Sequence, residues 1–227
     1  MSRPPRSRAR EPLPPPLPPE TRTVGQLVAE TLHIYGRNVP AALAIGVAPA
    51  LIDLAAADLS RRQALVVVPL LGGVLLTLAY VAASAVVLGV RPDRRRLLTA
   101  VLVGVLVFIP FPFLASVFVL PGLVWLAFVG LSVPAAVAEG RGVRGSLARG
   151  LELGRADFVH ALGSLATLAI LVFLTRVMLS ILLRDLGDST ARIAGLLADL
   201  VISPLLFLGA ALLYVDQAAR VRSSSAR

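Results

Sequence analysis

The sequence predicts an all-α integral membrane protein: six transmembrane helices preceded by an N-terminal amphipathic helix in the membrane interface. Three observations predict it. Apolar residues make up 57% of the 227 and charged residues 15%, whereas a soluble domain averages roughly 45–50% and about 25%. The charges are also segregated. Five stretches, 39–59, 64–90, 97–138, 158–183 and 191–215, hold 141 residues but only Asp53, Asp58, Arg176, Arg192 and Asp199; the other 86 residues hold 30 charges. Finally, the arginines gather in alternate connections between apolar stretches, as the positive-inside rule requires of a multi-pass protein.

Residues 1–22 read as a disordered Pro/Arg-rich tail. Eight of the first 20 residues are proline, and proline, which fixes φ and lacks an N–H, lets neither helix nor sheet propagate. The tail could dock on a proline-recognising module or touch anionic lipid; the plainer reading is a solvated cytoplasmic tail. Over 23–38, Val24, Leu27, Val28, Thr31, Leu32 and Tyr35 recur at helical spacing, with Gln26, Glu30, His33 and Arg37 off that stripe. Such a helix suits the bilayer interface.

The first span is 39–59, where Ala42, Gly46 and Ala50 put small residues on one face for close helix approach. Arg61 and Arg62 close a short connection to the second span, 64–90. The next 42 residues, 97–138, carry no charge. As one helix they would run about 63 Å against a hydrocarbon core of about 30 Å, so the chain turns back. A turn at Pro110-Phe111-Pro112 leaves a short first arm. A turn at Leu120-Pro121-Gly122 gives two spanning arms, 97–120 and 122–138, with Pro110 and Pro112 as a kink, and is favoured. Residues 158–183 and 191–215 are the fifth and sixth spans, joined by the polar loop 184–190, and 216–227 reads as a second cytoplasmic tail. With six crossings and both termini inside, 17 arginines lie in inner segments and four in outer loops. This asymmetry places the protein in a cytoplasmic membrane.

Several chemistries are excluded or unsupported. There is no cysteine, hence no disulfide, thiolate metal site or cysteine nucleophile. The two histidines, His33 and His160, belong to no metal motif and no nucleophile elbow is present; Gly140, Gly142 and Gly145 give only a weak phosphate-loop signal, since no Lys-Ser/Thr follows and no strand precedes. No catalytic residue, cofactor or metal ligand is assigned, and the protein is expected not to be an enzyme. Net charge is +9, with 22 arginines and no lysine. Because the arginines flank apolar spans, membrane orientation explains them better than nucleic acid does. Arginine in place of lysine, with abundant Ala, Val, Leu, Gly and Pro, has the bias of a GC-rich bacterial coding sequence.

Two sets of residues invite a functional reading. Asp53 lies eight residues before Arg61, Arg176 eight before Arg184, and Asp199 eight after Ala191, so all three sit near one depth, about 12 Å below the outer edge. A charge inside the bilayer costs roughly 2.5–3.5 kcal/mol on the insertion scale and needs a partner. Arg176 is therefore expected to pair with Asp199 across the last hairpin, with Asp53 close by. The trio would form either a polar pocket or ion path, or an ion pair that fixes helix register. The second set is Arg141, Arg144, Arg149 and Arg155 in the inner loop 139–157, which reads as a short glycine-capped interfacial helix. These arginines could hold lipid head-group phosphates or act only as positive-inside anchors.

The same loop carries a family resemblance. The run 133–143, VPAAVAEGRGV, followed by 146–155, SLARGLELGR, resembles a motif of bacterial six-helix membrane proteins. These include the membrane domain attached to some glycerophosphoryl diester phosphodiesterases and the YciC-like proteins. Thr23-Val24-Gly25-Gln26-Leu27 with Tyr35-Gly36-Arg37-Asn38 is similar to that family's opening helix, and Leu213-Tyr214-Val215-Asp216 with Arg220 to its closing one. Ser146 and Gly150 depart from the family's usual Ala and Ser. The resemblance implies the six-helix membrane unit; since the 227 residues are taken up by spans and tails, it does not imply phosphodiesterase activity. The expected role is a non-enzymatic anchor or interaction module, with a transporter or lipid-handling protein using Asp53, Arg176 and Asp199 as the alternative.

Overall fold

The computed structural model describes residues 18–57, 59–183 and 188–225. The tail 1–17 and the loop residues 184–187, with Asp58, lie outside the described residues. The described chain contains helices and no strands, and six helical segments are long and apolar enough to cross a membrane: Val39–Ala56, Arg62–Leu88, Arg94–Ala115, Val119–Glu139, Phe158–Leu183 and Arg192–Ser225.

Local chemistry sets most of the boundaries. A short 3₁₀ turn, Pro19–Thr21, leads to helix α1, Val24–Arg37, which opens on a capping box. The Gln26 amide donates to the Thr23 hydroxyl, and Gln26 Oε1 accepts from the Thr23 N–H at 2.9 Å. Asn38 ends α1 with φ −129° and ψ 37°, its side-chain amide donating to the Ile34 carbonyl at 2.9 Å. Helix α2, Val39–Ala56, follows. A second capping box, Ser60 with Gln63, opens α3, Arg61–Leu88. Arg61 and Arg62 thus form the first turn of α3 rather than the connection. Gly89 closes α3 at φ +63°, a left-handed position that favours glycine, and the Asp93 carboxylate caps α4, Arg94–Phe108, through the Arg96 N–H.

Where the chain turns inside 97–138 is a correction to the sequence reading. Helix α5, Pro110–Val117, follows α4 with a break at Ile109, because Pro110 and Pro112 offer no N–H to the carbonyls four residues back. The reversal comes at Phe118, in extended conformation (φ −164°, ψ 145°), and α6, Val119–Trp125, starts directly after it. Pro121, expected at the turn, falls within the first turn of α6, where a missing N–H costs nothing. A five-residue π-helical segment, Leu126–Gly130, then joins α6 to α7, Ser132–Glu139. Trp125 Nε1 donates to the Val107 carbonyl at 2.8 Å, next to the broken end of α4. Trp125→Phe is expected to cost about 1 kcal/mol, the net worth of one such bond, read as a lowered thermal midpoint in detergent.

Helix α8, Gly142–Ala156, runs antiparallel to α7 and the π segment. Helices α9, Phe158–Leu183, and α10, Asp188–Ile202, follow. A break at Ser203 before Pro204 leads to α11, Pro204–Ser225. The second tail expected after residue 215 is therefore corrected. The chain stays helical to Ser225, and Asp216, Gln217 and Ala218 are buried.

Helix α11 is the axis of the bundle, packed on α1, α3, α8 and α9, with Leu208, Ala211 and Leu213 fully enclosed. The outer surface is the reverse of a soluble protein's. Leu65, Val66, Leu70, Val74 and Leu78 of α3 and Ile170, Phe173, Leu174, Met178 and Leu182 of α9 all face outward, an apolar belt far beyond what a water-soluble monomer exposes. Small residues mark the crossings instead. A Cβ on Gly46 would lie 2.1 Å from the Leu200 carbonyl oxygen of α10, and one on Gly104 2.4 Å from Thr77 of α3. The chain is a multi-pass, six-span helical membrane protein.

Candidate functional site: charged clusters at opposite ends of the bundle

At one end, three helices contribute one charge each. Asp53 is on the last turn of α2, Arg176 is seven residues from the end of α9, and Asp199 is on α10. The structure brings all three together. The Arg176 guanidinium bonds the Asp53 carboxylate through one nitrogen, and through the other sits 3.1 Å from Asp199 Oδ1. The environments differ: the Asp199 side chain is 2% exposed, while those of Asp53 and Arg176 are 41% and 40% exposed. Arg176 opens sideways onto a groove lined by Phe173, Val177, Ser180 and Ile181. The trio ties α2, α9 and α10 at one level, and its ionised groups sum to one negative charge.

The other end holds a larger network that sequence reasoning did not assemble. Arg22, just before α1, bonds Asp216 of α11 at 2.5 Å across a sequence separation of 194, and Asp216 is fully buried. Arg220 bonds the Asp157 carboxylate between α8 and α9 and donates to the Arg22 carbonyl at 3.0 Å. Gln217, also fully buried, donates to the Asp157 carbonyl at 3.0 Å. A few ångströms along α11, the Tyr214 hydroxyl donates to Glu139 Oε1 at 2.9 Å, and Arg149 Nε reaches the same oxygen at 3.1 Å. The clearest sequence signal was Asp216 with Arg220, quoted for the family resemblance alone. Arg22 and Asp216 sat in segments read as tails.

The four loop arginines separate into two kinds. Arg144 and Arg155 are exposed, and Arg141, 55% exposed, lies 2.5 Å from Glu139. Arg149 is turned inward, bound to Glu139 and to Glu152 at 2.8 Å. Burial opposes its charge, but hydrogen bonds to Glu152 and Glu139 and their negative charge outweigh that, raising its pKa above the ordinary arginine value. Arg149 is thus held by carboxylates rather than free for a head group. The inner face of α8 carries Ser146, Gly150 and Gly154, buried against α7 and the π segment. A Cβ on Gly150 would lie 2.0 Å from Ser132 Oγ, and one on Gly154 2.5 Å from the Ala127 carbonyl oxygen.

Helix α1 also uses its apolar stripe unevenly. Leu27 and Thr31 are buried, whereas Leu32 is half exposed. Arg22 meets Asp216, and Thr31 sits where a Cβ on Gly209 would be 3.2 Å away, so α1 runs antiparallel along two turns of α11. Between the two clusters the described interior carries no charge, its buried polar groups being hydroxyls such as Thr77, Ser84 and Ser164. A cavity of about 30 Å³, the size of one water, is lined by Tyr80, Phe108, Leu131, Leu165, Phe207 and neighbours. Among the described residues no three His, Asp or Glu side chains converge as a metal site. No family model matches the chain, and no curated protein or solved structure does.

Proposed function

We propose that this protein is a non-enzymatic anchor or interaction module of a bacterial cytoplasmic membrane, with both termini in the cytoplasm and its Pro/Arg segment as the contact arm. The observation that carries this reading is the seating of Pro18–Arg22 on α11. The 3₁₀ turn packs on that helix and Arg22 locks to Asp216, so the start of the described chain is fixed on the bundle. The arginine asymmetry supports the orientation, and the resemblance over 133–155 to six-helix bacterial membrane proteins supports the class. Exposed Arg141, Arg144 and Arg155 on the same side suit anionic head groups.

The test is co-purification from the native membrane in mild detergent, read by native mass spectrometry. Deleting residues 1–17 is expected to remove a stoichiometric protein partner, and Arg176→Ala to retain it. A partner that survives the deletion but is lost on altering 139–157 moves the contact to α8; no partner in any case overturns the reading. The second reading, a transporter or lipid-handling protein, is favoured by the groove beside Arg176. A lipid adduct on the wild type that disappears in Arg176→Ala, with no protein partner, would replace the first reading with the second.

A further inference from the structure

We propose that the α3–α4 and α7–α8 connections together bind an anionic phospholipid, with Arg94, Arg95, Arg96, Arg141 and Arg144 around its phosphate and the outward leucines of α4 along its chains. This rests on the head-group reading of the α8 arginines above, to which it adds a second segment and an apolar support. It does not depend on a protein partner.

The fold crowds positive charge that the sequence keeps apart. Arg91, Arg94, Arg95 and Arg96 surround the start of α4, and Arg141 and Arg144 the start of α8; all six are exposed. Helix α4 packs on both α7 and α8, and Arg96 crosses to the other connection, its Nη1 donating to the Ala138 carbonyl at 3.4 Å. Gly140, at φ +64°, leaves the room: a Cβ there would lie 3.0 Å from Arg96 Nε. The carboxylates of the two connections are already engaged. Asp93 caps α4 through the Arg96 N–H, while Glu139 accepts from Tyr214 and Arg149 and pairs with Arg141. Among the described residues, Arg91, Arg94, Arg95 and Arg144 have no ion-pair partner. Positive-inside placement asks only that arginines lie on one side. It does not ask two connections to converge, nor their carboxylates to be turned to other partners.

The chemistry of this surface selects its ligand. Guanidinium forks match the oxygens of a phosphate group, and an anionic phospholipid brings one with no positive charge of its own, whereas the ammonium of a zwitterionic lipid would be repelled. The position selects an amphiphile. Arg94 is the first residue of the spanning segment Arg94–Ala115, at the level where head groups lie. In steps of four from Arg94, Leu98, Leu102 and Leu106 share its side of the helix, and all three are exposed. A phosphate held by the arginines therefore has an apolar strip of about 18 Å beneath it. A water-soluble phosphate compound would leave that strip unused; acyl chains lie along it.

The test is native mass spectrometry of the full chain, freed of native lipid in mild detergent and titrated with phosphatidylglycerol or with phosphatidylcholine of the same chains. Phosphatidylglycerol is expected to bind more tightly by about tenfold or more. Arg94→Gln and Arg144→Gln, one from each connection, should each weaken it about fivefold, the worth of one arginine near an anionic lipid, and leave phosphatidylcholine unchanged. Arg222→Gln removes a charge from the last turn of α11, outside both connections, and should change binding by less than about twofold. All three side chains are exposed, and a thermal melt without added lipid checks that each variant is folded. Equal affinity of the wild type for the two lipids overturns both this proposal and the head-group reading on which it rests. A preference for phosphatidylglycerol that Arg222→Gln reduces as much as Arg94→Gln and Arg144→Gln do overturns the site alone, and leaves only a diffuse positive field. Displacement of the bound lipid by inorganic phosphate or glycerol phosphate overturns it too, assigning these arginines to a soluble phosphate compound.

Discussion

Gly150→Ala, one added methyl group, is expected to lower stability by about 1–3 kcal/mol, the cost of overpacking a close-packed contact. The new Cβ would lie 2.0 Å from Ser132 Oγ, 2.6 Å from the Ser132 backbone nitrogen and 2.8 Å from its Cα. Two of those atoms are backbone, so no rotamer change relieves the clash. Helix α8 has to withdraw from α7, and Arg149, one residue away, withdraws with it from Glu139. Gly163→Ala provides the comparison. It is also a helical glycine, but nothing lies within 4 Å of its new Cβ, so helix propensity alone acts and favours alanine by up to about 1 kcal/mol. The check is the thermal midpoint of both variants in one detergent. Equal midpoints would mean that α8 does not pack on Ser132 as described, and would detach the loop arginines from their assigned partners.

What was legible in the sequence follows from which interactions leave a periodic or compositional trace. Long uncharged runs have one physical solution in lipid, a helix that satisfies its own backbone, so six spans could be counted without coordinates. Asp53, Arg176 and Asp199 stood out because each is a rare charge inside such a run, and equal distance from a loop puts helical residues at equal depth. The same arithmetic cannot say which faces point at each other; in the structure Arg176 reaches both carboxylates. The turn near 118–121 was displaced because Pro121 marks a helix start just as well from inside the first turn, and Phe118 has no propensity that announces a reversal. The π segment 126–130 left no pattern at all.

The termini-end network was hidden for a different reason. Charged residues that flank an apolar run look the same whether they are solvated or buried. Arg22 follows a proline-rich stretch and Asp216 follows the last apolar residue of a span, so each reads as an ordinary polar flank. Only the docking of the 3₁₀ turn on α11, a contact between the two ends of the chain, turns these flanks into interior. The inner face of α8 is a parallel case. Gly150 and Gly154, spaced for close helix approach, were overshadowed by the arginines on the outer side of the same helix.

Arg22→Ala is the prediction with the largest expected effect, about 3–5 kcal/mol, because it strips the partner from a buried charge rather than merely losing an attraction. Asp216 is fully enclosed, Arg22 Nη1 binds its Oδ1, and Oδ2 has no hydrogen-bond partner among the described residues. Without Arg22 the carboxylate keeps, among the described residues, Arg220 as a neighbouring positive charge, and Arg220 is already committed to Asp157. Thermal unfolding in detergent should show a drop that adding Asp216→Asn to Arg22→Ala partly reverses, because the neutral amide no longer demands a counter-charge. Asp216→Asn alone should cost less than Arg22→Ala. The order of these three variants distinguishes a buried ion pair from a surface one, for which single and double variants would all fall within about 1 kcal/mol of the wild type. The same series bears on the contact arm. If Arg22 holds the arm to α11, Arg22→Ala should weaken partner retention even at temperatures where the bundle is intact. The double variant should regain stability without regaining the partner, since the amide removes the electrostatic cost but not the need for a guanidinium to fix the arm.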